Sequence, residues 1–366
     1  MKVNFVDLKR QIRLYRKEFL SAIVKVVDEA SFLGGPILEQ FENDFAQFCH
    51  KKYCVALNSG TDALFFALLA YDIHKGDEVI TVPNSYFSTA MVISNIGAVP
   101  VFVDADHLSG EIDIAKIESV ITKRTKAIMP IHLYGQPCDM DPIIALAKKY
   151  HFAIIEDCCQ SHNATYKEKL VPVTETGAFS FYPGKNLGAF GDAGAIVTNN
   201  KVIYERVLHL RNDGSIKKYV HTSFGYKSRM DTIQAAVLSA KLSCLKDWSK
   251  KRRHWAKLYS SLLVNIKEIK TPIEMPYAYH VYHLYMIECE KRDGLQAYLK
   301  DHGVDTIIHY PIPIHLQTPY LALGFRSGMF PVTEKRAKSI LSLPMFPELL
   351  ESEVRYVCRL IHSFYS

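Results

Sequence analysis

A lysine in a glycine-rich turn is the first residue that asks for a chemical explanation. Lys185 lies in FSFYPGKNLGAFGDAGAIVT (179–198), among Pro183, Gly184, Gly188 and Gly191 and between two apolar runs that read as strands. Glycines there permit close backbone approach and unusual dihedrals. A lysine held in such a turn can be desolvated, which leaves its amine nucleophilic and able to form a Schiff base. An isolated Pro-Gly-Lys is more often an ordinary hairpin loop, so the chemical reading depends on what stands upstream.

Asp157 ends the apolar run FAIIED. A carboxylate at a strand end needs a cation or donors; a helix-capping role is the plainer reading, and a pyridinium nitrogen is the chemical one. Gln160 follows three residues later, and its amide could reach a ring hydroxyl. Ser59-Gly60-Thr61-Asp62 leads into a helical run. Such a turn serves equally as a helix cap or as a phosphate site built from free amides and a hydroxyl. Tyr86 follows the second apolar run, where an aromatic could stack on a planar cofactor or be one more core tyrosine. Cys158, Cys159 and His162 invite a metal reading, but adjacent cysteines cannot both face one ion and no second pair completes a tetrahedral set. Together, a phosphate cradle, an aromatic plate, a carboxylate and a distant lysine form the set that pyridoxal 5′-phosphate (PLP) requires.

These residues need a scaffold that brings strand ends together. The chain has 366 residues and is 48% hydrophobic, enough for one large and one small domain. From Tyr53 to about Thr198 the apolar runs YCVAL, EVITVP, VPVFVD, KAIMPIHLY and FAIIED alternate with helical stretches. That pattern predicts an α/β fold with a mainly parallel sheet, whose ligands sit beyond the carboxyl ends of the strands. In residues 1–50, Phe19, Ile23, Val24 and Val27 recur at helical spacing, and Pro36 is placed to open a helix carrying Phe41, Phe45 and Phe48. Residues 200–265 read as helices. Beyond about 270, HLYMIECE and VDTIIHY read as strands, and EKRAKSILSL and ESEVRYVCRLIHSFY as helices. The expected division is 1–250 for a large domain and 251–366 for a smaller C-terminal α+β domain.

The net charge of +6 is mild and spread out, which argues against a nucleic-acid partner. KKRRHW (250–255) is more simply a solvated helix face or an anchor for an anionic substrate. The cysteines form no paired framework, and no apolar run approaches the length of about 20 residues that a membrane helix needs. A reduced, cytoplasmic protein is expected.

The motifs NSGTDAL (58–64), PNSYFST (83–89), LYGQPCDMD (133–141), EDCCQSHNATYKEK (156–169), GYKSRMDTIQAA (225–236) and HYPIPIH (309–315), with the lysine segment, span essentially the whole chain. In this order they resemble the DegT/DnrJ family of nucleotide-sugar aminotransferases. That resemblance implies the PLP-dependent transferase type I fold, like aspartate aminotransferase, with a mixed, mainly parallel sheet in its large domain. It implies that Lys185 holds the cofactor and moves protons, that Asp157 faces the pyridine nitrogen, and that Gln160 lies near the ring hydroxyl. Gly60, Thr61 and Ser180 match phosphate ligands, and Tyr86 matches the aromatic over the ring. Arg229 lies where the family brings a segment in from a second subunit, which implies a homodimer with shared sites. Tyr182, His309, Tyr310 and His315 match positions on the substrate side.

This chain departs from the family at Lys227, where many relatives carry an asparagine that reaches the partner's cofactor phosphate; a lysine could meet that phosphate as a point charge. It also departs at Cys158-Cys159, where small alanines are common. The stretches FYPGKNLGAFGD and LRNDGSIKKY resemble the branch that aminates C3 of dTDP-linked 3-keto-6-deoxyhexoses, with glutamate as amino donor. Branches acting at C4, or on UDP-linked 2-acetamido sugars, share most of the other motifs. A sugar dehydratase of the same family would carry histidine in place of Lys185. A PLP-binding regulator that has lost activity is the competing reading from a different class.

Overall fold

The computed structural model describes all 366 residues. Three helices come first: α1 (Leu8–Leu14), α2 (Arg16–Asp28) and α3 (Pro36–Phe48). Pro36 sits in the first turn of α3, where a missing N–H costs nothing. Phe41 and Phe45 are buried and Phe48 is half-buried. The Phe45 ring meets Phe179 and Phe181 edge to face, each at a centroid distance of 5.1 Å. Burying one such ring contributes roughly 1.5–3 kcal/mol, so this stripe fixes α3 to the segment leading into Lys185. Helix α2 differs from the expected stripe. Phe19 and Val26 are buried, whereas Val24 and Val27 face outward beside the exposed Leu20.

Strands β1 (Tyr53–Leu57), β2 (Glu78–Thr81), β3 (Val99–Phe102), β4 (Thr125–Ile128) and β5 (Ala153–Asp157) alternate with α4 (Gly60–Ala70), α5 (Ser88–Asn95), α6 (Ile114–Ile117) and α7 (Met140–Tyr150). A small hairpin, β6 (Thr165–Tyr166) and β7 (Lys169–Leu170), precedes β8 (Thr176–Ser180) and β9 (Gly194–Thr198). The main sheet has the order β1-β9-β8-β5-β4-β2-β3. Strands β3, β2, β4, β5 and β8 pair in parallel, and β9 runs antiparallel to both β8 and β1. Six strands therefore run one way and β9 alone runs against them. The central strands are covered on both faces, which is why they read as near-continuous apolar runs.

Because β8 and β9 are antiparallel neighbours, the chain between them leaves and re-enters at one edge of the sheet. That connection carries Lys185, and the carboxyl ends of β1 and β5 open onto the same edge. A Cβ at Gly188 would overlap the Pro183 carbonyl. Gly184, Gly188 and Gly191 all keep φ outside the left-handed region. Close approach at Gly188, and not an unusual dihedral, is what this turn requires.

Helix α8 (Lys201–Arg211) is followed by a hairpin of β10 (Ser215–Lys217) and β11 (Val220–His221) that the sequence reading placed among helices. Then come α9 (Thr232–Leu242) and α10 (Leu245–Leu263). The remainder holds β12 (Ile269–Lys270), β13 (Ala278–Tyr279), β14 (Tyr285–Cys289), α11 (Arg292–Asp301), α12 (Thr318–Leu321), α13 (Pro331–Ser339), β15 (Ile340–Leu343) and α14 (Glu351–Tyr365). Strands β12, β14 and β15 form a second sheet, and β13 pairs with β6. VDTIIHY is not a strand: it makes only single bridges, Val304 to Val3 and Ile307 to Ser342. EKRAKSILSL is split, since the helix ends at Ser339 and Ile340–Leu343 pairs with β14. Along α10, Leu245 packs in the large core while Ala256, Tyr259 and Leu263 pack in the small one. We take a division near residue 250 as a proposal on that basis. No helix is long and apolar enough to cross a membrane.

Candidate active site

The turn between β1 and α4 makes its own cap. Ser59 Oγ accepts from the Asp62 amide at 3.1 Å, and the Ala63 amide donates to the Ser59 carbonyl. The amides of Gly60 and Thr61 then find no acceptor in the protein. Two free N–H groups at the start of an 11-residue helix are a ready anion cradle. Thr61 Oγ1 donates to Ser88 Oγ at 3.0 Å. Ser180, at the end of β8, closes the cradle so tightly that a Cβ at Gly60 would collide with its side chain and come within 2.9 Å of its Cα. Gly60→Ala should therefore cost about 1–3 kcal/mol of stability through overpacking. It should also weaken PLP binding at least about tenfold, or 1.4 kcal/mol, in a spectrophotometric titration. Unchanged affinity for PLP would remove this turn from the phosphate site.

Asp157, at the end of β5, is buried. Its Oδ2 accepts from Thr89 Oγ1 at 3.2 Å and its Oδ1 from the Cys159 amide at 3.0 Å. Each oxygen keeps acceptor capacity for a further N–H. Gln160 is also buried; its Oε1 accepts from the Tyr134 amide at 2.8 Å and its Nε2 donates to Tyr310 Oη at 3.2 Å. The Tyr134 hydroxyl donates to the His309 carbonyl. Tyr86 is 58% exposed and lies 5.9 Å, centroid to centroid, from Tyr310, so it is no core tyrosine.

Lys185 is half-buried and its Nζ makes no hydrogen bond to the protein. Burial lowers its pKa, with the negative charge at Asp157 partly opposing the shift. The side chain is thus biased toward the free amine that nucleophilic attack requires. His309 is brought to the same cleft. Burial and the charge on Lys185 hold its pKa down to about 4, and its Nδ1 meets Ser342 Oγ at 3.0 Å.

Other expected residues lie elsewhere. His315 is fully buried, its Nε2 is 3.1 Å from Glu334 Oε1, and its ring packs edge-on against Phe330. It belongs to a satellite core and not to a substrate surface. Tyr182 is 59% exposed on the lysine turn. Lys227 is exposed, and Arg229 lines a separate cleft of about 490 Å³ with Leu33, Gly34 and Arg211. Lys185 does not line that cleft.

Thr89 and Tyr134 lie within quoted motifs without standing out there, and Lys241 carries no local signal. Thr89 on Asp157, Tyr134 on Gln160, and Lys241 under the lysine turn all act across long sequence separations. Lys241 Nζ donates to the Gly188 carbonyl at 2.6 Å and lies over the rings of Phe190 and Phe19 at 4.7 and 5.2 Å. Burial lowers its pKa to about 8, against about 10.4 for an ordinary lysine. Between those values the folded chain has shed a proton that the unfolded chain still binds, so stability should rise with pH across that window. Urea midpoints of wild type and Lys241→Met should accordingly diverge in slope from pH 8 to 10. Parallel curves would show that Lys241 does not titrate there.

A family model described as the DegT/DnrJ/EryC1/StrS aminotransferase family matches residues 14–362. The chain belongs to that family. It is 42% identical to a "Pleiotropic regulatory protein" of Geobacillus stearothermophilus, covering 100% of this chain and 99% of that one. It is 42% identical to the dTDP-3-amino-3,6-dideoxy-alpha-D-galactopyranose transaminase of Aneurinibacillus thermoaerophilus, covering 99% of each chain. It is 40% identical to a UDP-N-acetyl-3-dehydro-alpha-D-glucosamine 3-aminotransferase of Acidithiobacillus ferrooxidans, over 98% of this chain and 97% of the other. The crystal structure of S. venezuelae DesV superposes with a TM-score of 0.98 at 40% identity, covering 100% and 99% of the two chains.

As a DegT/DnrJ/EryC1/StrS aminotransferase the chain is an enzyme that depends on PLP. The residues in the cleft fit that cofactor: free helix amides for a phosphate, a buried carboxylate with spare acceptor sites, and an unpartnered amine. When bound, PLP supplies an aldehyde that condenses with amines and a ring that takes up the electron pair left at a deprotonated carbon.

Proposed function

We propose that this aminotransferase moves the amino group of glutamate to C3 of a dTDP-linked 3-keto-6-deoxyhexose. Glutamate leaves as 2-oxoglutarate, and the ketone carbon becomes an amine-bearing carbon. The observation that carries this reading is the end-to-end similarity to the Aneurinibacillus 3-amino-3,6-dideoxy sugar transaminase. The stretches FYPGKNLGAFGD and LRNDGSIKKY support it. Relatives named for UDP sugars are comparably similar, so amination of a UDP-linked 2-acetamido-3-keto sugar is the reading it competes with. A 4-keto sugar is the third candidate. The regulatory name carried by one relative raises a non-catalytic role. Lys185, with its amine unpartnered and biased toward the free base, favours catalysis.

In this reading Lys185 holds PLP and carries the proton between the donor carbon and the cofactor. Asp157 keeps the ring nitrogen protonated, Gln160 and Tyr86 fix the ring, and Gly60, Thr61 and Ser180 bind the phosphate. Tyr182, His309 and Tyr310 border the sugar nucleotide. The functional unit is a homodimer: Leu20, Val24, Val27, Phe32 and Leu33 expose an apolar surface near the Arg229 cleft. A partner lying there would carry Arg229 and Lys227 toward the second site, with Lys227 meeting the phosphate as a point charge. Eight unpaired cysteines support a reducing, cytoplasmic setting.

Turnover against dTDP- and UDP-linked 3-keto and 4-keto sugars, with mass spectrometry of the products, tests the proposal. The dTDP-3-keto-6-deoxy substrate should lead the others in kcat/KM by at least about tenfold, or 1.4 kcal/mol of transition-state binding. A UDP or 4-keto substrate in first place would overturn it, and no amine transfer to any of them would favour the regulator.

A further inference from the structure

Tyr134 also borders a second cleft, of about 150 Å³, which no residue of the lysine turn lines. It opens between the loop after β3, the turn around Tyr134, and the second sheet with α13. His107, Leu108 and Lys270 stand exposed at its mouth. Three wall residues, Glu111, Gln136 and Arg336, are more than nine-tenths buried, yet each leaves polar atoms without a partner. Glu111 Oε2 accepts from the Leu133 amide and the Cys138 thiol, each at 3.3 Å, while Oε1 accepts nothing. Gln136 Oε1 accepts from the Met275 amide at 2.8 Å, which orients the side chain and leaves Nε2 with no acceptor. Arg336 Nη1 pairs with Glu288 Oε1 at 2.6 Å, and its Nε and Nη2 find no acceptor. The guanidinium lies against the loop that carries Glu111: a Cβ at Gly110 would come within 2.7 Å of Nη2.

Buried polar groups are nearly always paired. Unpaired ones converging on a single space mark a place for a polar ligand. The charges say of which kind. Glu111 and Glu288 stand against Arg336 and Lys270, so the signs at the wall balance. A purely anionic or purely cationic guest would leave one of them opposed. A guest carrying both signs satisfies both, with its ammonium on Glu111 Oε1 and its carboxylate on Arg336 and Gln136. Burial raises the Glu111 pKa well above the ordinary carboxylate value, and Arg336 offsets only part of that shift. A nearby cation is what this carboxyl lacks. A cavity of this volume holds a benzene-sized body, which suits the core of an α-amino acid with its side chain turned to the open mouth.

We propose that this cleft is a second binding site, one that takes the zwitterion of a small α-amino acid. It is separate from the place of the amino donor at Lys185, and it depends on neither the sugar nor the nucleotide. The two sites share one support. The Leu133 amide donates to Glu111, and the next amide along, that of Tyr134, donates to Gln160.

Ligand-observed NMR titrations test it, run on holoenzyme reduced with borohydride so that no amino acid can exchange onto the cofactor. L-alanine is the probe, and propionate and ethylamine are its two halves. Alanine should bind at least about tenfold more tightly than either half, the scale of one charge-assisted hydrogen bond. Glu111→Gln keeps an oxygen for the Leu133 amide but sets an NH₂ group where the ammonium would lie. It should weaken alanine at least about tenfold and leave propionate nearly unchanged. Lys270→Glu, at the exposed mouth, carries little risk to folding and tips the charge balance. It should narrow the lead of alanine over ethylamine by about threefold, the scale of one exposed charge. Alanine binding no better than its halves overturns the proposal, and so does wild-type affinity in Glu111→Gln. Neither result bears on Lys185, whose role is read separately by whether borohydride reduces the bound cofactor.

Discussion

Replacing Lys185 with alanine ends multiple turnover: kcat falls by at least about 10⁴-fold, the upper range for one positioned proton carrier. The structure makes this a clean substitution. Lys185 Nζ holds no other part of the fold, so circular dichroism and the thermal midpoint should stay close to wild type. What disappears is a half-buried amine whose pKa burial has lowered toward availability. Formation of 2-oxoglutarate from glutamate in the presence of a keto sugar nucleotide reads the loss. Continued turnover in the alanine variant would remove Lys185 from the mechanism and leave the PLP cleft without its reactive group.

Asp157→Asn should lower kcat by about 10²–10³-fold, the scale of losing one preorganised charge in a water-poor site. The amide replaces the carboxylate with little disturbance. Its oxygen can still accept from the Cys159 amide, and its nitrogen can donate to the Thr89 hydroxyl. The loss of negative charge at Asp157 is then isolated from packing. Affinity for PLP should change far less than kcat if, as proposed, the phosphate is held by the Gly60–Thr61 turn on a different strand end. A variant within about threefold of wild type would show that Asp157 does not control the ring nitrogen, since even one lost donor of this kind normally costs more.

The strand–helix alternation and the lysine turn were legible because both are local patterns. Apolar runs covered on two faces announce themselves, and Gly188 stands where only a bare backbone passes Pro183. The places of Asp157 at the end of β5 and of Gly60 at the start of α4 were legible from the apolar runs before them. What was hidden depends on distant partners. HYPIPIH put His309, Tyr310 and His315 into one motif, yet His315 is fully buried against Glu334 and Phe330. VDTIIHY has the composition of a strand, but its neighbours offer only isolated bridges on either side. Val24 and Val27 continue a helical period without a core to face, since the buried side of α2 is set by Phe19 and Val26 against α9. Lys241 had no detectable pattern, because it has meaning only through the Gly188 carbonyl on another segment.

The links from Gln160 to Tyr310 and from Tyr134 to His309 lace the edge of the large sheet to the segment entering the second. With β13 sewn to β6 nearby, swinging one unit away from the other would tear several bonds at once. Such cross-links hold the strand-end edge of the large sheet and the His309–Tyr310 segment in one fixed arrangement, so a ligand entering between them meets a surface shaped in advance.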